Sequence, residues 1–323
     1  MTNLIDMHRH HWAFDWFPPS HLKEFNWQRA ARTNRTIDEV LERAKQSPVF
    51  DSSGEWMLNE MERYNIDFSV ILCNDMGLGY GPNEDNQVPI EEIHKKTAEV
   101  CDANANKLAW FCGVDPRRPR SVKFFEECVK NMGAIGLKVY PPHGYQANDP
   151  VCFPMYEKAI ELDVPVLIHT GGNIWAWPEW VELVARKYPE LRIMLGHVNL
   201  QAPFETGAYW RGLQAAYGKS NVWLDICDWQ VLNAVNEENL EPLLKVLRVF
   251  FDSMGPERIV WGTDLPMVGS EAVNNTLTWS DIARNLPEWG SKYNVNFTDE
   301  ERDGLCEGAG KAVLSNFDFD FLD

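Results

Sequence analysis

Five short segments of this chain carry side chains that together could hold a metal ion: Asp6-Met7-His8-Arg9-His10, Gly136-Leu137-Lys138, Ile168-His169-Thr170-Gly171, Gly196-His197 and Trp261-Gly262-Thr263-Asp264. Each reactive residue closes a short apolar run of the kind that forms a β-strand. Four of the eight histidines stand at such ends. Imidazole and carboxylate are ligands of zinc, manganese and iron, so the pattern points to a metalloenzyme. His8 and His10 are two residues apart, which on a strand puts both rings on one face, where they can address one ion. An HxH pair alone is a weak signal; its company at later strand ends makes it a strong one. His11 falls on the opposite face and reads as a supporting residue, not a ligand.

The elements that must position these residues follow a regular rhythm. Apolar runs at 4–8, 68–73, 108–114, 134–140, 165–169, 192–197, 222–226 and 258–261 read as strands. Stretches at 54–65, 89–106, 122–132, 154–162, 180–187, 206–217 and 240–254 read as the helices between them. VPVLIH and LRIMLGH are continuously apolar, as strands buried on both faces are. Eight such units predict an α/β fold, a (β/α)8 TIM-like barrel, in which residues at the C-terminal strand ends do the chemistry. Residues 11–53 break the rhythm with Trp16, Phe17, Pro18-Pro19 and Phe25. A structureless segment of that length is uncommon in a compact domain. It is expected to be an insertion after strand 1, helical over 37–45, that folds over the site or into a subunit contact. Residues 299–314 add C-terminal helix, and a single domain over 1–323 is expected.

Composition narrows the partners. The chain has 323 residues, 48 acidic and 30 basic, for a net charge of −18. So acidic a balance argues against nucleic acid, whose phosphates need a basic face. No apolar run approaches the ~20 residues of a membrane span. The first strand begins almost at Met1 without a leader segment before it, and the seven cysteines form no CxxC pair. These features predict a cytoplasmic protein with reduced thiols and a small-molecule substrate. The fourteen tryptophans serve packing first; Trp175, just past the His169 segment, is the candidate for a substrate wall.

The order Asp-x-His-x-His on strand 1, His on strands 5 and 6, and Asp on strand 8 resembles the amidohydrolase superfamily. The phrases GLKVYPP, LIHTGG, LGHVN and WGTDLP are similar to its aminocarboxymuconate-semialdehyde-decarboxylase-like branch, over residues 4–266. The resemblance implies that His8, His10, His169 and Asp264 hold one divalent metal, zinc first, with manganese or iron as alternatives. It implies that His197 polarises water or a substrate oxygen beside the ion, and that Asp264 also takes and returns a proton. A divalent ion lowers the pKa of its water toward ~7, and a carboxylate touching that water can carry the proton. In binuclear members a strand-4 lysine is carboxylated and bridges two ions, with both later histidines on the second. Lys138 and His197 thus leave a two-ion site open, although an unmodified Lys138 that anchors a substrate carboxylate or pairs with Asp264 is favoured. Relatives often form dimers, and a homodimer through the 11–53 insertion is expected.

Past the strand ends, Tyr140, His143 and Tyr145 are candidates for substrate contact, the last two on a loop after Pro141-Pro142. Arg9 faces away from its ligand neighbours, so a structural ion pair comes before substrate binding as its role. The reaction expected first is hydrolysis of an amide, lactone or ester of a cyclic or aromatic acid. Metal-activated water would attack the carbonyl, His197 would help stabilise the oxyanion, and Asp264 would protonate the leaving group. The alternative is non-oxidative decarboxylation of an aromatic or unsaturated acid. A dinuclear iron or manganese oxygenase is a further one, and a metal-retaining non-catalytic subunit is the reading outside enzymes.

Overall fold

Eight parallel strands run in chain order: β1 (Ile5–Arg9), β2 (Phe68–Leu72), β3 (Leu108–Gly113), β4 (Gly136–Val139), β5 (Val166–His169), β6 (Ile193–Gly196), β7 (Val222–Asp225) and β8 (Ile259–Val260). The computed structural model describes residues 2–81, 83–199, 207–228, 240–266 and 277–322. Each strand pairs with the next in parallel. The seam between the last and the first is closed by backbone bonds from Met7 N–H to Trp261 O (2.9 Å), Asp264 N–H to His8 O (2.7 Å) and His10 N–H to Leu265 O (2.7 Å). The result is a (β/α)8 barrel. Every strand residue is buried, which is why these segments read as unbroken apolar runs.

Helices Glu55–Arg63, Ile90–Asp102, Ser121–Met132, Phe153–Glu161, Pro178–Lys187, Tyr209–Ala216 and Leu240–Met254 connect the strands. Of the helix expected over 206–217, residue 206 lies outside the described residues. Met61, Cys101, Phe125 and Tyr156 on these helices join Trp110, Ile168 and Leu195 on the strands in one apolar cluster between barrel and helices. After the last connections, Phe317, Phe319 and Phe321 set their rings 5.4, 5.4 and 5.6 Å from Phe68 at the start of β2. They cover the barrel end opposite the strand C-termini. All seven cysteines are free and buried. Among the described residues no helix is long and apolar enough to cross a membrane.

The insertion after β1 forms helices Pro19–Thr33 and Ile37–Ala44. The second opens on a capping box in which Thr36 and Glu39 satisfy each other's backbone N–H groups. Trp16, Phe17 and Leu22 pack with Met76 and Ile93 in a small cluster of their own. Part of the segment lies over the site: Trp12 and His21 reach the central pocket.

One buried carboxylate holds the seam together. Asp6 accepts hydrogen bonds from His8 N–H (3.1 Å), Thr263 N–H (3.0 Å) and Thr263 Oγ1–H (2.6 Å), and pairs with Arg9 Nη1 at 3.3 Å. Burial pushes its pKa up to about 6, with Arg9 and Thr263 pulling the other way. Arg9 takes the structural ion pair that the sequence reading put first: its side chain is fully buried against Asp6 and does not line the pocket. Asp6→Asn keeps the shape, removes the charge and leaves Arg9 without its carboxylate. Losing one member of a buried pair costs about 3–5 kcal/mol. A drop of that order in urea unfolding is expected, partly recovered in Asp6→Asn/Arg9→Met. A single-variant midpoint equal to wild type would remove Asp6 from this role.

Candidate metal centre

The strand C-terminal ends bring His8, His10, Lys138, His169, His197 and Asp264 together, none more than 6% exposed. The partners of the two β1 histidines fix how they present themselves. His8 Nδ1–H donates to Asp225 Oδ2 at 2.5 Å, and His10 Nδ1–H donates to the Leu72 carbonyl at 2.8 Å. With Nδ1 protonated, each ring turns a bare Nε2 inward. There Asp264 Oδ1 lies 3.0 Å from His10 Nε2 and 3.5 Å from His8 Nε2. Two nitrogen lone pairs converging on a carboxylate oxygen are favourable only with a cation or proton between them. One ligand atom from each of His8, His10 and Asp264 lies within 4.8 Å of the others, a spacing that admits an ion with bonds of about 2.0–2.2 Å. The donor set fits a divalent metal.

Protonation states agree with that use. Burial holds His8 far below the ordinary imidazole value and His10 down to about 3, with Lys138 adding to both, so both rings are neutral at pH 7. Burial pushes Asp264 up to about 8, with Lys138 opposing and Asp225 adding. Burial also pulls Lys138 down to about 8 against the charge of Asp264. Lys138 Nζ sits 3.3 Å from His8 Nε2, and among the described residues no carboxylate lies within ion-pair distance of it.

His169 stands outside the three-residue group. Its Nδ1 is 3.0 Å from His197 Nε2, and its ring lies 4.7 Å from that of Tyr140. His197 is delivered by an unusual turn: His197, Val198 and Asn199 have φ of 61°, 51° and 63°. A β-branched residue there is strained. Thr170 holds the turn, accepting from Asn199 N–H at 2.8 Å and donating to Gly196 O at 2.6 Å. Gly212 makes room for it, since a Cβ at that position would come 2.5 Å from Val198 O.

The segment after β7 lies beneath these residues. Cys227 Sγ is 3.0 Å from His8 Nδ1 and 3.2 Å from His197 Nδ1, and burial keeps the thiol protonated. Asp228 is pushed up to about 8 by burial and by the charge of Asp264. Asp225, Cys227 and Asp228 stand outside the five segments from which the sequence reading starts. The phrase Asp225-Ile226-Cys227-Asp228, ligand-type side chains at a strand end, was the available signal.

The pocket above the centre is lined by Lys138 and Tyr140, as expected, and by Trp12, His21, Asn74 and Met76. Trp12 stacks on His10 with centroids 5.2 Å apart, and His21 Nδ1 meets Tyr80 Oη at 2.8 Å. His21 escaped the sequence reading, although Phe17, His21 and Phe25 recur at four-residue spacing along one aromatic stripe. Three other candidates stand away from the pocket lining. Tyr145 is buried behind Tyr140 and accepts its backbone N–H at 3.0 Å, because the turn Pro141–His143 folds the chain inward. His143 packs edge-on against Tyr140 at 4.8 Å and does not line the pocket. Trp175 is 38% exposed on a turn capped by Asn173 and is not among the residues that line the pocket.

The sequence matches the amidohydrolase family profile over residues 5–314. It is 24% identical over 260 residues to 2-keto-4-carboxy-3-hexenedioate hydratase of Sphingobium sp., covering 68% of this chain and 70% of that one. It is 20% identical over 254 residues to 2-amino-3-carboxymuconate-6-semialdehyde decarboxylase of Dictyostelium discoideum, covering 68% of each. The fold is similar to 5-carboxyvanillate decarboxylase of Novosphingobium aromaticivorans, solved with manganese and 4-hydroxy-3-methoxy-5-nitrobenzoic acid: TM-score 0.62, 16% identity, 97% of this chain and 96% of that one.

Because Asp225 orients His8 without being one of the three grouped residues, Asp225→Ala is expected to weaken metal binding about 10–100-fold, the range for such supporting partners. Competition with a chelator reads this directly. Unchanged affinity would mean that the ring is oriented by something else.

Proposed function

The chain belongs to the amidohydrolase family, in its aminocarboxymuconate-semialdehyde-decarboxylase-like branch, and from that premise we propose that it removes carbon dioxide, without oxidation, from a small flat aromatic or unsaturated carboxylic acid. The observation that carries this reading is Lys138. It is a fully enclosed ammonium on the pocket floor, beside the ligand group, with no carboxylate of the described residues in ion-pair reach. A buried cation in that state calls for an anion from the substrate. Hydrolysis, expected first from the sequence, takes second place for this reason. The two relatives at 24% and 20% identity act, by name, on unsaturated polycarboxylic acids, which supports the substrate class.

A divalent ion at His8, His10 and Asp264, manganese or zinc, would supply Lewis acidity and polarise the substrate oxygens. Lys138 holds the substrate carboxylate or an oxygen next to it. Trp12, Met76 and Tyr140 form apolar walls that keep a flat ring or diene in place and exclude water. The bond between the substrate carbon and its carboxylate breaks, carbon dioxide leaves, and the electron pair stays on that carbon. Asp264 delivers a proton to it and recovers one from solvent. His197, set between Cys227 and His169, positions the His169 ring at the pocket. Hydrolysis of an acid-derived ester or lactone is the second reading, favoured by that histidine pair, which is placed to hold an oxyanion.

The test is a panel of hydroxybenzoates and carboxylated dienoates, incubated with metal-loaded protein in D2O and read by mass spectrometry. Carbon dioxide release with one deuterium on the product carbon is expected; a product that keeps its carboxylate and is heavier by one water would mean hydration of the substrate and would overturn decarboxylation. Asp264→Asn and Lys138→Met are each expected to lower kcat/KM by about 10²-fold or more. Lys138→Met should do so with metal content retained. Wild-type turnover in Lys138→Met would remove the proposed anchor.

A further inference from the structure

We propose that His21, in the first turn of the insertion helix Pro19–Thr33, determines specificity: its Nε2 accepts a hydrogen bond from a hydroxyl or amino group of the substrate, with Asn74 Oδ1 as a second acceptor in the same pocket. The substrate is then an acid that carries a hydrogen-bond donor on the side away from its carboxylate. This rests on the reading in which Lys138 anchors that carboxylate, and it does not depend on which bond the enzyme breaks.

Neighbours decide where His21 keeps its proton. Tyr80 has one hydroxyl proton and gives it to the Glu24 carboxylate, which can only accept. The Tyr80 oxygen, 2.8 Å from His21 Nδ1, must then take its bond from Nδ1–H. A neutral imidazole with its proton on Nδ1 has a bare lone pair on Nε2. The ring is neutral at pH 7, because burial, with His143 adding, lowers its pKa to about 4. No hydrogen bond from the described residues reaches Nε2.

Packing turns the ring edge-on. Phe17 and Phe25 stack on His21 with centroids 5.2 and 6.2 Å away and planes tilted by 9° and 17°. With its faces taken, the imidazole has only an edge to offer the pocket. Trp12 and His21 also line an apolar hollow with Phe17, Leu22, Phe25 and Phe50, which Lys138 and Asp264 do not reach. His21 therefore stands at the outer margin of the pocket, away from its cationic floor. Asn74, two residues past β2, lines the same pocket, and its Oδ1 is buried without a hydrogen-bond partner. Acceptors left without donors are costly once water is excluded. A substrate hydroxyl or amino group satisfies them, whereas an ether or a bare ring carbon leaves them unpaired.

The experiment is calorimetric titration of metal-loaded full-length protein at pH 7 with benzoate, 3- and 4-hydroxybenzoate, and 3- and 4-methoxybenzoate. At least one hydroxybenzoate is expected to bind about 10-fold or more tighter than benzoate and than its methoxy counterpart. His21→Phe keeps the aromatic stripe and removes the acceptor, so it should lower that hydroxy-to-methoxy ratio by about 10-fold. Tyr80→Phe frees the tautomer, so that Nε2–H can donate to a methoxy oxygen; methoxybenzoate should gain affinity, which loss of packing alone would not produce. Benzoate or the methoxybenzoates binding as tightly as both hydroxybenzoates would overturn the proposal. So would an unchanged ratio in His21→Phe, or no binding of either hydroxybenzoate at millimolar concentration. A ratio taken within one variant does not depend on how much of it is folded. Benzoate affinity retained in Lys138→Met would fail the carboxylate anchor alone, since the ratio that tests His21 stays readable there.

Discussion

The carboxylate of Asp6 is the interaction on which the centre depends. It is a charge in the barrel interior, satisfied by two backbone N–H groups, one hydroxyl and one guanidinium. Those partners come from β1 and from the segment that follows β8, so Asp6 joins the first strand to the last. Once joined, Asp264 N–H reaches His8 O, and the Asp264 carboxylate comes to rest against His8 and His10. A shift of one residue at this seam would turn every β1 side chain to the other face and dissolve the ligand group.

Around that frame, supporting partners fix ring tautomers and directions. Asp225 and the Leu72 carbonyl leave His8 and His10 with bare inward nitrogens. Thr170 and Gly212 hold and accommodate the left-handed turn that carries His197. Burial keeps the imidazoles neutral and raises the carboxyls, an arrangement that a bound cation relieves. The aromatic insertion then covers the open end, with Trp12 stacked on a ligand ring.

Much of this was legible in the sequence because it obeys local periodicity. Most of the eight strands appear as largely apolar runs, and VLIH and IMLG fall where β5 and β6 do. His8 and His10 declare themselves by two-residue spacing. What stayed hidden depends on contacts between distant segments. Asp6 was visible in its motif, but its task exists only after the barrel closes on Thr263. Cys227 looked like any buried thiol until β7 placed it between two histidines. Tyr145 read as a loop residue, and only the inward fold of Pro141–His143 shows that it supports Tyr140 from behind. His21 lies within an insertion whose direction no local pattern encodes.

The seam also has a consequence in time. Asp264 is synthesised more than 250 residues after His8 and His10. The three-residue group therefore cannot form on a growing chain until nearly the whole barrel has been synthesised. Chains that stop before β8 carry the two histidines without their carboxylate, so the complete ligand group belongs to the closed barrel and not to any shorter stretch of the chain.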